Sequence, residues 1–210
     1  MTEEELQDLI TEAEAGDVEA QNELGYYYSD EAEVRDEQKA LFWYGKSAEQ
    51  GYDVAQYNLA LCYDRGEGVK SDRSKAAYWY EQAAKQDHPE AQYCIAVCYD
   101  NGDGVEKDER KAVFWYQQAA AQGDLDAMDN LGVCYCRGEG VKRNFKEAFK
   151  LFRCAAYKGH AHAMFNLGCC YENGESVEID YQKAKKWYEK GAALGNEDAI
   201  AALDRPEFKD

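Results

Sequence analysis

Nucleophiles and metal ligands are plentiful in this chain of 210 residues, yet their spacing assembles no reactive site. A serine hydrolase of the Ser-x-x-Lys kind needs a lysine three residues after the nucleophile and a Lys-Thr-Gly element. The five serines, Ser29, Ser47, Ser71, Ser74 and Ser176, have no lysine at that distance, and the chain holds no Lys-Thr-Gly. Cysteine is the second reservoir, with eight residues. Cys94 and Cys98 stand one helical turn apart, and Cys62 precedes them; His160 and His162 lie two residues apart. Two thiolates at that spacing can ligate zinc, but a structural zinc wants four ligands and no compact set completes them. The segment "DNGDGVEKDERK" has the outline of a calcium loop, but Lys111 stands where the bidentate glutamate belongs. The expectation is therefore no catalytic residue, no metal and no cofactor. A metal- or small-ligand-binding protein stands as the alternative class.

The cysteines also disclose a period. Cys62, Cys98, Cys134 and Cys170 recur every 36 residues. So do Gly51, Asp87, Gly123, Gly159 and Gly195, the alanines from Ala55 to Ala199, and Tyr63, Tyr99, Tyr135 and Tyr171. A period between twenty and fifty residues marks a solenoid, in which each unit buries its apolar face against its neighbours. Equivalent positions on stacked helices lie roughly 9–10 Å apart, and a disulfide needs Cα atoms within about 7 Å. The four periodic cysteines therefore read as small buried apolar residues.

One unit, Gly51 to Gln86, shows the elements that position these residues. Ala55, Leu59, Cys62 and Tyr63 fall at spacings of three and four, the mark of one helix face. Gly66 and Gly68 open a loop, Val69 folds back as a plug, and Asp72 is placed to cap a second helix. Asp108, Asn144 and Asp180 hold the same capping place. Ala76, Trp79, Tyr80 and Ala83 then make a second apolar stripe. Trp43, Trp79, Trp115 and Trp187 share one position, with Leu151 in the fourth unit. At this spacing they read as core packing rather than a ligand-stacking row. The first unit is one residue short, and its loop "SDEAEV" lacks both glycines.

These residues resemble the Sel1-like repeat family, a branch of the tetratricopeptide-type α/α solenoids. The family pattern is an Ala, a Leu-Gly pair, a Tyr, a Gly-x-Gly-Val loop, an Asp, a Lys-Ala, a Trp-Tyr and an Ala-Ala. The third unit reads "AQYCIAVCYDNGDGVEKDERKAVFWYQQAAAQGD" and the fifth "AMFNLGCCYENGESVEIDYQKAKKWYEKGAALGN". The resemblance covers about residues 16–204. It implies an all-α, right-handed α/α superhelical solenoid with the first helices lining the concave side, and adaptor or scaffold work in protein complexes. Cysteine-rich secreted relatives have been linked to β-lactams and host interaction, which keeps a β-lactamase-like hydrolase as a more distant alternative. In those relatives a cysteine near the end of each second helix pairs with one about eight residues later. Here the equivalent pairs include Ala84 with Gln92 and Ala120 with Met128. The expected organisation is an acidic capping helix over 1–15, five repeats across 16–195 (16–50, 51–86, 87–122, 123–158, 159–194), and a capping helix and tail over 196–210.

If the first helices line the concave side, three rows of residues face it. The first holds Glu23, Asn58, Cys94, Asn130 and Asn166; the second Tyr26, Leu61, Val97, Val133 and Cys169; the third Asp30, Arg65, Asn101, Arg137 and Asn173. Asparagine both donates to and accepts from a peptide backbone, and arginine can fork onto a carboxylate. An extended peptide held by Asn58, Asn130 and Asn166 is one reading. The other is that these amides bond to the neighbouring repeat and only stabilise the stack.

Charge bounds the partner. The formal net charge is −18 at pH 7. Residues 1–37 hold fourteen Asp or Glu and one basic residue, whereas 137–158 hold seven Lys or Arg against two Glu. An acidic chain is expected to take a protein or peptide rather than nucleic acid or an anionic membrane. No run of eighteen apolar residues is present and the start lacks a secretory pattern, so a cytoplasmic location is expected. Oligomeric state is left open; a head-to-tail dimer through the acidic start and the basic fourth unit is one possibility.

Overall fold

A computed structural model describes residues 1–30 and 34–209. Residues 31–33, inside the "SDEAEV" loop, lie outside the described residues. Twelve α-helices and one short 3₁₀ turn account for the secondary structure, with no strand among the described residues. The chain divides into two compact units, Met1–Asp108 and Glu109–Asp210.

The first unit contains α1 (Glu3–Ala15), α2 (Val18–Asp30), α3 (Glu37–Glu49), α4 (Asp53–Arg65), α5 (Arg73–Ala84) and α6 (Pro89–Asn101), each packed on the next. Thr2 and Glu5 form a reciprocal capping box at the start of α1. Asp36 and Asp72 cap α3 and α5, each accepting from a backbone N–H at 3.1 Å. The second unit contains α7 (Glu109–Ala121), α8 (Leu125–Arg137), α9 (Phe145–Tyr157), α10 (Ala161–Asn173), α11 (Tyr181–Ala193), α12 (Glu197–Leu203) and the 3₁₀ turn Pro206–Phe208. Asn144 and Asp180 cap α9 and α11 in the same way.

Both units are held by the same contacts. The Leu24, Leu59, Ile95, Leu131, Leu167 column is at most 4% exposed, and each such burial contributes about 1.5–3 kcal/mol. The residue after it is always small, and where it is glycine an aromatic ring lies on it, Tyr44 on Gly25 for one. A Cβ at Gly132 would stand 2.5 Å from the Phe152 ring, and one at Gly168 would stand 2.4 Å from Tyr188. Ala60 and Ala96 hold this place in the first unit and are fully buried. Among the tryptophans, Trp115 and Trp187 are buried, whereas Trp43 and Trp79 are only half-buried at the margin of the core.

The second loop glycine does more than bend the chain. Gly68 lies at φ +69, and a Cβ there would meet the Glu37 carbonyl oxygen at 2.2 Å. Its N–H donates to Glu37 Oε2 at 3.0 Å. Gly104 meets Arg73, and Gly140 meets Glu109, in the same way. Each of these three loops thus sits on the start of the preceding second helix, where a Cβ would clash with the backbone. Ser176 takes this place in the fifth repeat at φ +67.

Candidate functional site along the first helices

The three rows lie on α2, α4, α6, α8 and α10. Asn58, Asn130 and Asn166 are half-buried, and each amide donates to a neighbouring helix. Asn58 Nδ2 donates to Asn22 Oδ1 at 3.0 Å, and Asn166 Nδ2 to Asp129 Oδ1 at 2.8 Å. Asn130 Nδ2 donates to the Tyr116 hydroxyl at 3.4 Å. All three bonds run to the preceding repeat. Asp129 is only 7% exposed, and burial raises its carboxyl above the ordinary value despite the Asn166 bond and nearby His160 and His162. His160 is a helix cap: its Nδ1 accepts from the Ala163 N–H at 3.2 Å. That fixes the proton on Nε2, which lies 3.0 Å from Asp126 Oδ1.

The second row, Leu61, Val97 and Val133, is half-buried and supplies apolar surface. The third row is exposed and borders the loops. Arg65 lies 3.8 Å from Glu67, and Arg137 lies 3.7 Å from Glu139, both solvent-facing pairs of small energetic worth. Asn101 Nδ2 donates to Asp103 Oδ2 at 3.3 Å, and Asn173 is exposed in the same place.

In the first unit these rows open into a cleft of about 260 Å³. Val97 and Cys94 line it from α6, with Tyr93 and Cys98 beside them. Tyr80, Ala76 and Arg73 enter from α5 and Asp64 from α4, while Asp103 pairs with Arg73 at the rim. The sequence reading placed Val97 here but missed Tyr80, Tyr93 and the charged rim. Tyr93 sits one residue before the asparagine row, in a column that changes from Asn22 to Tyr57, Tyr93, Asp129 and Phe165. That variability was the available signal. In the second unit the end of the row is closed: Arg205 forks onto Glu172 with both bonds at 2.7 Å, and the Tyr188 hydroxyl donates to Glu172 with the Cys169 sulfur 3.5 Å away.

The cysteines are poorly suited to chemistry in this setting. Burial pushes the Cys98 thiol up to about 11, and Asp64 and Asp103 add to that while Arg73 opposes it. Burial likewise raises Cys62 to about 12 and Cys136 to about 11. No disulfide joins any of the eight cysteines, all of which are described. No group of three or more His, Cys, Asp or Glu able to hold a metal occurs among the described residues. No helix among them is long and apolar enough to cross a membrane. The place of the relatives' disulfide is filled differently: Gln92 Nε2 donates to the Ala84 carbonyl at 3.3 Å, and Gln56 does the same to Ala48. Gln86 Nε2 then bridges to Gln56 Oε1 at 2.9 Å. In the second unit Met128 and Met164 replace this glutamine.

The model of the Sel1 repeat matches residues 18–52, 53–88, 89–124, 125–160 and 161–196. No curated protein matches the chain. Among solved structures, a Sel1 repeat protein from Oxalobacter formigenes is 34% identical over 90% of this chain and 75% of its own, with a TM-score of 0.83. A protective antigen of uropathogenic Escherichia coli with an SLR fold is 37% identical over 94% of this chain, at a TM-score of 0.88, and this chain spans 43% of its length. The immunity protein Pa5087 from Pseudomonas aeruginosa is 25% identical over 87% of this chain and 67% of its own, at a TM-score of 0.51.

Proposed function

The chain belongs to the Sel1 repeat family, whose members generally mediate protein–protein interaction, and from that premise we propose that it is a non-catalytic adaptor holding an extended peptide of a protein partner along its first helices. The cleft around Val97 carries this reading. It offers one apolar wall, two tyrosine rings and a rim bearing both charge signs, the composition of a pocket that anchors a single partner side chain. Leu61 extends the apolar contact within the first unit, and Val133 holds the equivalent position in the second. Arg65, Asn101, Arg137 and Asn173 supply exposed polar groups for the peptide's carbonyls and carboxylates. Asn58, Asn130 and Asn166 act mainly through the neighbouring helices they bond to, so they shape the face rather than grip the peptide. The net charge of −18 favours a protein over nucleic acid or an anionic bilayer.

Affinity capture from the source cell with Val97→Glu and with the triple variant Asn58→Ala, Asn130→Ala, Asn166→Ala tests this. Val97→Glu places a charge on a half-exposed wall and should leave the denaturation midpoint near that of the native chain. It should lower recovery of the bound protein by about tenfold, equivalent to about 1.4 kcal/mol. The triple variant should lose stability first. Full capture by a folded Val97→Glu chain would refute the placement of the site.

A further inference from the structure

The second helices of the second unit carry a surface that the first-helix reading does not use. Along the chain, the residue before the tryptophan column is Phe42, Tyr78 and Phe114, then Lys150 and Lys186. The aromatic members are 50–55% exposed and rest edge-on against their own tryptophans. In the fifth repeat Lys186 cannot do this, and the ring comes from elsewhere. Tyr157, at the end of α9, meets Trp187 of α11 edge-on at 5.3 Å while remaining 73% exposed. Lys190 Nζ lies 4.1 Å from the Trp187 ring centre. Lys183, Lys186, Lys190, Trp187, Glu189 and Ala193 enclose an open hollow of about 380 Å³.

Charge singles out this face. Helices α9 and α11 carry seven Lys or Arg against Glu147 and Glu189. The second helices of the first unit, α3 and α5, carry four against three. This basic concentration runs against the chain's net charge of −18, although Lys150 pairs with Glu147 and Lys183 with Asp180. We propose that the α9–α11 face is a second docking surface, for a short acidic protein segment that carries an aromatic or large apolar residue. The ring of that residue would enter the hollow against Trp187 and Tyr157. The flanking carboxylates would meet Lys186 and Lys190, with Lys150 and Arg153 along the approach. A short segment feels the local field, because charges beyond a Debye length of about 8 Å are screened. A long polyanion must also meet the acidic remainder of the chain, which favours a peptide over nucleic acid or a lipid surface.

Panning a displayed library of random short peptides on the full chain tests this, with counter-selection on Lys186→Glu/Lys190→Glu. Enriched sequences should combine acidic and aromatic residues. A synthetic peptide of the enriched sequence, followed by fluorescence anisotropy, should bind at least about tenfold more weakly to Lys186→Glu/Lys190→Glu. It should bind about fivefold more weakly to Tyr157→Ala. Binding should also weaken as salt rises. These positions are exposed or peripheral, and circular dichroism establishes that each variant is folded. The proposal is overturned by a failure to enrich acidic sequences or by equal affinity for the folded variants. Tighter binding of a single-stranded oligonucleotide, or of phosphatidylserine vesicles, than of the selected peptide overturns it as well.

Discussion

Gln92 shows how one side chain replaces a cross-link. Its amide is 1% exposed and donates to the Ala84 carbonyl, across the eight-residue span that relatives bridge with a disulfide. Truncation to Ala would remove one of two bonds to that carbonyl, which keeps the Asp87 N–H, and would leave the space unfilled; it should cost about 1–3 kcal/mol in urea denaturation. A change within about 0.3 kcal/mol would show the bond to be idle. Asp129 offers a pH-dependent counterpart. Burial raises its carboxyl, so its ionisation disfavours the fold, and that cost grows as pH rises through the raised value. Below about pH 4 the group is protonated in both states and imposes no such cost. His160 and His162 face it and oppose the rise, while Asp126 adds to it. The first unit holds the neutral version, Asn22 with Asn58. Asp129→Asn should therefore raise the melting temperature near pH 8, with the gain fading below pH 4. A gain that grows toward acid would reverse the assigned sign. Three of the four periodic cysteines, Cys62, Cys134 and Cys170, are buried as their spacing implied, whereas Cys98 is half-buried in the wall of the cleft. The amide bonds of Asn58 and Asn166 were not legible, because their acceptors lie 36 and 37 residues away in a column that changes its residue type.

At the scale of elements, the helices were readable because caps, stripes and loop glycines agree repeat after repeat. The physical task of the second loop glycine was not readable, since a tight bend and a close approach to a neighbouring helix both ask for glycine. Both apply at the three glycines: each has φ between +65 and +72, and the nearest atom is a backbone carbonyl about 2.1–2.2 Å from the missing Cβ. Gly104→Ala should cost about 2 kcal/mol or more, from the positive φ and the displaced carbonyl together. Ser176→Gly should shift stability the other way, because Ser176 already bears the strain of φ +67. Paired denaturation curves check both signs at once, and equal midpoints would remove the loop from the account of stacking. The tryptophan column taught a similar lesson. A shared position did not mean shared burial, because Trp43 and Trp79 sit at the core margin while Trp115 and Trp187 lie inside it.

At the scale of the whole molecule, each unit repeats one small packing solution, and what varies is the surface. The apolar columns hardly change from repeat to repeat. The rows along the first helices and the exposed position before the tryptophan change from amide to thiol and from ring to lysine. Family and fold were legible because the constant columns carry them. The cleft was only partly legible, because Tyr80 and Tyr93 meet there from two helices that periodicity treats separately. The proposed seat of a protein partner is the first-helix face at Val97. This placement is tested most directly by placing a photo-crosslinking amino acid at position 97 and, separately, at the exposed Tyr78 on the second helix of the same unit. Irradiation in the source cell should yield a discrete protein adduct from position 97 and none of that mass from position 78. The same adduct from both positions, or an adduct from position 78 alone, would contradict the account.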